Sequence, residues 1–148
     1  MPSPLRTGLL AAARSKRLER TASRIPLTRK VVDRFVAGET EQQALETSRD
    51  ILASGRYITI DHLGEDTTDV AQATATVSAY QSLLAALAPL AGSQAETGGP
   101  RPMEVSVKLS ALGQFVGADG DRIALENAHK ICAAAEEAGV WVTVDAED

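Results

Sequence analysis

The feature that most constrains this chain is a threefold alternation: short runs rich in β-branched residues at 57–61, 103–109 and 140–144 are separated by stretches long enough to hold a helix. Runs such as Tyr57-Ile58-Thr59-Ile60-Asp61 carry strand-forming side chains and end in turn residues. A parallel neighbour cannot be reached through a tight hairpin, so strands separated by crossovers of this length pair in parallel. The pattern therefore predicts βαβαβ units and an α/β class. Composition agrees, because 3% aromatic against 44% hydrophobic content suits small-residue helices on aliphatic strands better than an aromatic-rich β-sandwich.

Upstream of the first strand the period changes to that of a helix. Segments 5–22 and 26–38 read as helices, the second opened by Pro26, striped by Val31, Val32, Phe35 and Val36, and closed by Gly38. A third has Thr40 and Gln43 in a capping-box pattern, apolar Ala44, Leu45, Ile51 and Leu52, and Gly55 as the residue after its end. These define a helical N-terminal arm, 1–55, ahead of a strand-bearing region, 56–148. In the latter, the Asp and Thr side chains of 66–69 can cap a helix lined by Val70, Val77, Tyr80, Leu83, Leu84 and Leu87, ending near Pro89. An exposed connection spans 92–102, a Gly-rich loop spans 110–121, and an Ala-rich helix spans 122–138, closed by Gly139.

Two architectures fit such a pattern, the open doubly wound sheet and the β/α barrel. The first would carry a Gly-x-Gly-x-x-Gly turn after an early strand, and none is present. Instead ionisable residues follow each strand: Asp61 and Glu65, then Lys108, then Asp145 and Glu147. In a β/α barrel catalytic groups collect at that end, from several strands. The barrel is the expectation, with three of its eight strands and two crossover helices within 56–148.

Alternation along the strands separates the side chains. Val105, Val107 and Leu109 share one face and Ser106 and Lys108 the other; Val140, Val142 and Val144 share one face and Trp141, Thr143 and Asp145 the other. The aliphatic faces are expected against helices, which puts Lys108 and Asp145 together on the inner face. A solvated strand-end lysine and a helix-capping aspartate are the plain alternatives for each alone. Trp141 either borders a ligand or fills the interior.

Charge is uneven: residues 1–34 hold nine Lys or Arg against Glu19 and Asp33, although the whole chain carries −5. Without interleaved aromatics or a reader motif, this basic stretch reads as a solvated helix face and not as a nucleic-acid site. Cys132, the single cysteine, permits no disulfide within the chain and is expected as buried packing on its helix; a reducing cytoplasm is its natural setting. His129 is expected on the polar side of that helix. His62 has no companions at ligand spacing, so no metal is expected. The apolar stretch 9–13 is too short for a signal peptide, and no run approaches the ~20 residues of a membrane span.

Three strand-end motifs now stand in series: Ile60-Asp61-His62-Leu63-Gly64-Glu65, then Val105-Ser106-Val107-Lys108-Leu109-Ser110-Ala111-Leu112-Gly113, then Val144-Asp145-Ala146-Glu147-Asp148. In order and spacing they resemble the first three strand motifs of the proline dehydrogenase family. Arg24-Ile25-Pro26-Leu27-Thr28-Arg29-Lys30 and Phe35-Val36-Ala37-Gly38-Glu39-Thr40 look like the helices before the barrel in bacterial single-function members. The resemblance implies an FAD-dependent (β/α)8 barrel oxidising L-proline to Δ1-pyrroline-5-carboxylate, the first step of proline catabolism to glutamate, with a quinone as electron acceptor. It implies that Lys108 lies near the substrate carboxylate and flavin, that Asp145 is the active-site aspartate, and that the Ala146 backbone lies against FAD. Glu65 matches a carboxylate that pairs with a substrate-binding arginine, and Glu147 is a supporting group. The family's arginine pair and later strands have no counterpart here, so the expectation is an N-terminal fragment of a truncated barrel, inactive alone. Its partners are expected to be proline, quinone and a peripheral contact at the inner face of the membrane, with self-association or completion by a missing barrel half left open. Two other readings also stay open: a barrel using Lys108 as a Schiff-base lysine, and a non-enzymatic remnant or basic partner-binding helical module.

Overall fold

A computed structural model of the chain describes residues 40–92 and 101–145. The helices expected at 5–22 and 26–38 lie outside the described residues, as does most of the connection expected at 92–102. The chain divides into two compact units, Met1–Ala44 and Leu45–Asp148. Of the first, the described part is the start of helix α1 (Glu41–Ala53), where the Thr40 hydroxyl accepts the Gln43 N–H at 3.3 Å. That is the N-cap half of the expected capping box.

The second unit follows the alternation: the remainder of α1, β1 (Ile58–Asp61), α2 (Val70–Gly92), β2 (Met103–Lys108), two short 3-10 turns (Leu109–Leu112 and Gly117–Asp119), α3 (Gly120–Ala138) and β3 (Trp141–Asp145). The strands form one parallel sheet in the order β1-β2-β3. Ile58 stands opposite Met103 and Asp61 opposite Ser106; on the other side Glu104 stands opposite Trp141 and Lys108 opposite Asp145. Pairing in register puts every aliphatic residue on one face. Met103, Val105 and Val107 are buried there with Tyr80, Leu84 and Leu87 of α2 and Ala128, Ile131 and Ala135 of α3, in a single hydrophobic core. On the opposite face lie Thr59 and Asp61, Glu104, Ser106 and Lys108, and Trp141, Thr143 and Asp145, none of them buried.

Helix ends follow the sequence signals closely in two cases. Gly139 has φ 72°, and its N–H and that of Val140 donate to Glu136 O and Ala135 O at 3.1 and 2.9 Å. This closure needs a residue free to adopt the left-handed region, and it turns the chain directly into β3. The same pair of bonds closes α1 at Gly55. Gly120 is required for a different reason: a Cβ there would collide with the Gln114 carbonyl oxygen, so α3 can start against the preceding turn only without a side chain.

Four expectations need correction. Helix α2 does not stop near Pro89 but runs on to Gly92, because a proline in the last turn loses only one intrahelical bond near an end that frays anyway. Val70 is 52% exposed, lying in the first turn ahead of the buried stripe. Val144 shares the aliphatic face yet is also 52% exposed, at the end of β3, which is an edge among the described strands. Cys132 is exposed, not buried: the buried stripe of α3 runs through Ala124, Ala128, Ile131 and Ala135, and the residue next to Ile131 is rotated about 100° away from it. His129 is exposed, as expected.

Helix α2 has an unusual composition: its 23 residues include no charged side chain. Three of its hydroxyls turn back on the helix, from Thr74 to Val70 O, Thr76 to Gln72 O and Ser78 to Thr74 O. At its start Asp69 accepts the Ala71 N–H at 2.6 Å, the capping expected of the 66–69 cluster.

Candidate functional site

At the C-terminal end of β2, the central strand, alternation directs Lys108 to the polar face while Val107 anchors the strand in the core. Its side chain is 16% exposed, and its ammonium donates to a Glu65 carboxylate oxygen at 2.5 Å. Glu65 comes from the loop between β1 and α2 and is 56% exposed, so solvent screens the pair and limits its worth to about 1 kcal/mol or less. Its consequence is positional. The pair ties the first loop across the end of the second strand.

Asp145 is the in-register partner of Lys108 on β3, about 4.8 Å away along the hydrogen-bonding direction of a sheet. Side chains opposite each other in register share a face, so the lysine and the aspartate come together there, with Asp145 exposed to solvent. Ala146 and Glu147 lie outside the described residues. Trp141, 53% exposed, and Thr143 continue the polar face toward the other end of β3.

A second set of contacts lies just below the ion pair. The Tyr80 ring, on α2, is 2% exposed. Its hydroxyl donates to the Ser106 carbonyl at 2.6 Å, lies 3.4 Å from Asp61 Oδ1, and accepts the His62 N–H at 3.2 Å. Burial pushes the phenol up to about 12, with the nearby Asp61 carboxylate adding to the rise and the His62 amide opposing it. The His62 ring packs at a tilt against the Tyr80 ring, with centroids 5.8 Å apart. Asn127 of α3, also buried, donates to Leu112 O at 3.0 Å and holds the turn that follows Lys108.

The sequence places Tyr80 only in the apolar lining of its helix and does not single out Asn127. Their roles depend on backbone carbonyls presented by the folded chain, which no residue pattern announces. One signal was available for Tyr80, a lone aromatic in an uncharged, mostly aliphatic helix of a chain poor in aromatics. Among the described residues no group of three or more His, Cys, Asp or Glu could hold a metal ion, and no helix is long and apolar enough to cross a membrane.

A sequence model described as proline dehydrogenase matches residues 44–148, the whole of the sheet with Lys108 and Asp145 at its strand ends and the loop that carries Glu65. The chain belongs to the proline dehydrogenase family. Within that family it is 32% identical to the proline dehydrogenase of Deinococcus radiodurans over 80% of this chain, and 31% identical to proline dehydrogenase 1 of Bacillus subtilis over 82%. It spans 35% and 36% of the lengths of those two proteins. The bifunctional protein PutA of Salmonella typhimurium is 31% identical over 96% of this chain, which covers 12% of it. Among solved structures, proline utilization A from Bdellovibrio bacteriovorus, inactivated by N-propargylglycine, superposes with a TM-score of 0.63 over 97% of this chain and 15% of that one. At 23% identity that likeness speaks for the fold: the α/β arrangement of three parallel strands and their crossover helices is one that a proline dehydrogenase family member contains.

Proposed function

We propose that the chain supplies part of a site that oxidises L-proline to Δ1-pyrroline-5-carboxylate, the first step of proline breakdown toward glutamate. The architecture we assign to the complete site is a (β/α)8 barrel, to which residues 56–148 contribute three adjacent strands. The observation that carries the reading is the half-buried Lys108 ammonium at the end of the central strand, with Asp145 in register beside it. A fixed cation suits the carboxylate of an amino acid, and a carboxylate one strand away suits its ring ammonium. Family membership then selects proline among amino-acid substrates.

FAD is the cofactor we assign. The residues present fit such a group: the C-terminal rim of the polar face is open and bears a cation beside carboxylates, while the opposite face is closed by helices. Lys108 and the backbone of Ala146 would hold it. Bound there, FAD would supply the acceptor for the hydride that leaves the ring carbon next to nitrogen. Lys108 fixes the substrate carboxylate, Asp145 takes up the proton that the ring nitrogen gives up as the hydride leaves, Glu65 orients Lys108, and Glu147 is a supporting group. A quinone is the final acceptor in this reading, reached by peripheral contact with the inner face of the membrane.

The test is direct. The complete barrel that includes these strands, prepared with FAD supplied, is expected to show flavin absorbance that L-proline bleaches without oxygen and a soluble quinone restores, and Lys108→Met is expected to remove the proline response. Protein that holds no flavin, or holds flavin that proline leaves oxidised, refutes the assignment for this chain. The Schiff-base reading of Lys108 is weaker, because a carboxylate at 2.5 Å stabilises the ammonium and not the free amine that such chemistry needs.

A further inference from the structure

The segment 62–67 is fastened at both ends to the strand it crosses. At its start the His62 N–H donates to the Tyr80 hydroxyl, which in turn donates to Ser106 O of β2. At its end the Thr67 N–H donates to Ser110 O, just past β2, at 3.0 Å, and Thr67 is itself 2% exposed. Between these ties the chain is open: Leu63 is 83% exposed, and Asp66 takes a positive φ of 52°, an uncommon conformation for a residue with a side chain. Glu65 stands in this open part and accepts a hydrogen bond from Lys108, two residues beyond Ser106. The contacts therefore form a closed circuit, from Tyr80 to His62, along the loop to Glu65, across to Lys108, and back along β2 to Ser106.

We infer that Tyr80 is a positioning residue, whose hydroxyl sets where Glu65 meets Lys108 by fixing the start of the loop and the end of β2 to one another. The helix is the right place for such a fastener, because the ring is locked in the hydrophobic core while the oxygen emerges between two strand ends. A phenylalanine would fill the same volume and leave Ser106 O and the His62 N–H without this partner. The elevated phenol keeps its proton throughout the physiological range, so the fastener does not switch off with pH there. As a statement about catalysis the inference rests on the role proposed for Lys108; as a statement about geometry it stands without it.

The experiment is a comparison of the full chain with Tyr80→Phe by NMR, in the absence of flavin and proline, so that its outcome is independent of whether the chain oxidises proline. Exchange of the His62 amide with water should rise by about tenfold or more, while the core amides of Leu84 and Ile131 keep their protection to within about twofold. The Lys108 ammonium signal, protected by the bond to Glu65, should exchange several-fold faster. Equal loss of protection everywhere would mean a purely structural tyrosine, and an unchanged Lys108 signal would mean that the tie does not set the pair; either overturns the inference. Should Tyr80→Phe fail to fold, 3-fluorotyrosine labelling of the otherwise unaltered chain gives two signals, from Tyr57 and Tyr80. Glu65→Gln should then displace the Tyr80 signal and leave exposed Tyr57 in place, and a Tyr80 signal that does not move overturns the inference equally.

Discussion

The two faces of the sheet are built from the same three strands, yet they obey different rules. On the covered face Met103, Val105 and Val107 are at most 1% exposed, packed among α2 and α3, and each position is determined by volume and polarity. On the open face Glu104, Ser106 and Lys108 alternate with them along the same strand, touch solvent, and are joined to neighbours by a few polar bonds such as Thr59 to Glu104 at 3.2 Å. Alternation thus divides one strand between stability and chemistry. Substitutions one residue apart should differ more in effect than substitutions made on opposite edges of the sheet.

The largest effect should come from Val105→Asp, which puts a carboxylate without a partner among Leu84, Leu87 and Ile131. A loss of about 4 kcal/mol or more is expected, enough to abolish the cooperative thermal transition seen by circular dichroism. A stable, folded Val105→Asp protein would erase the distinction between the faces.

An intermediate effect is expected where the two sides communicate, at Tyr80. Its phenol is raised from 10.0 to about 12 on folding, so the folded state holds the proton more tightly than the unfolded chain. The resulting stabilisation is complete below pH 10 and is lost as the pH rises toward 12, by on the order of 2 to 3 kcal/mol at most. Urea melts across that range should show a falling limb that is shallower in Tyr80→Phe. Parallel limbs in the two proteins would remove Tyr80 from the account.

The smallest effect belongs to Thr143→Ala on the open face of β3, expected to change stability by no more than about 0.5 kcal/mol in the same melts. A cost of several times that would reveal a packed environment on the face described as open.

Much of this contrast could be read from sequence. The three strands, their parallel pairing and the division of residues between faces all follow from β-branched runs with a period of two, and the glycines at 55 and 139 marked helix ends because only that backbone geometry turns the chain there. The placement of Lys108 and Asp145 on one face needed only alternation. Cys132 was misread because an Ala-rich helix offers a weak stripe, and a shift of one residue exchanges core for solvent. The tie between Glu65 and Lys108 joins residues 43 positions apart, and that between Tyr80 and Ser106 joins 26. Each depends on strand register and loop path, which are properties of the assembled sheet.

The absence of charge from α2 has a consequence for the order in which the protein assembles. Without ion pairs along its surface, and with Thr74, Thr76 and Ser78 bonded back to their own helix, the segment lacks the local interactions that sustain a free helix in water. Its helicity has to be supplied by docking onto the strands. Strand pairing in turn requires the chain between β1 and β2 to close first, so neither element is a stable starting point for the other. Folding of this region is therefore expected to pass through a single concerted transition state in which helix and sheet form together, at the slower pace of a fold whose decisive contacts are distant in sequence.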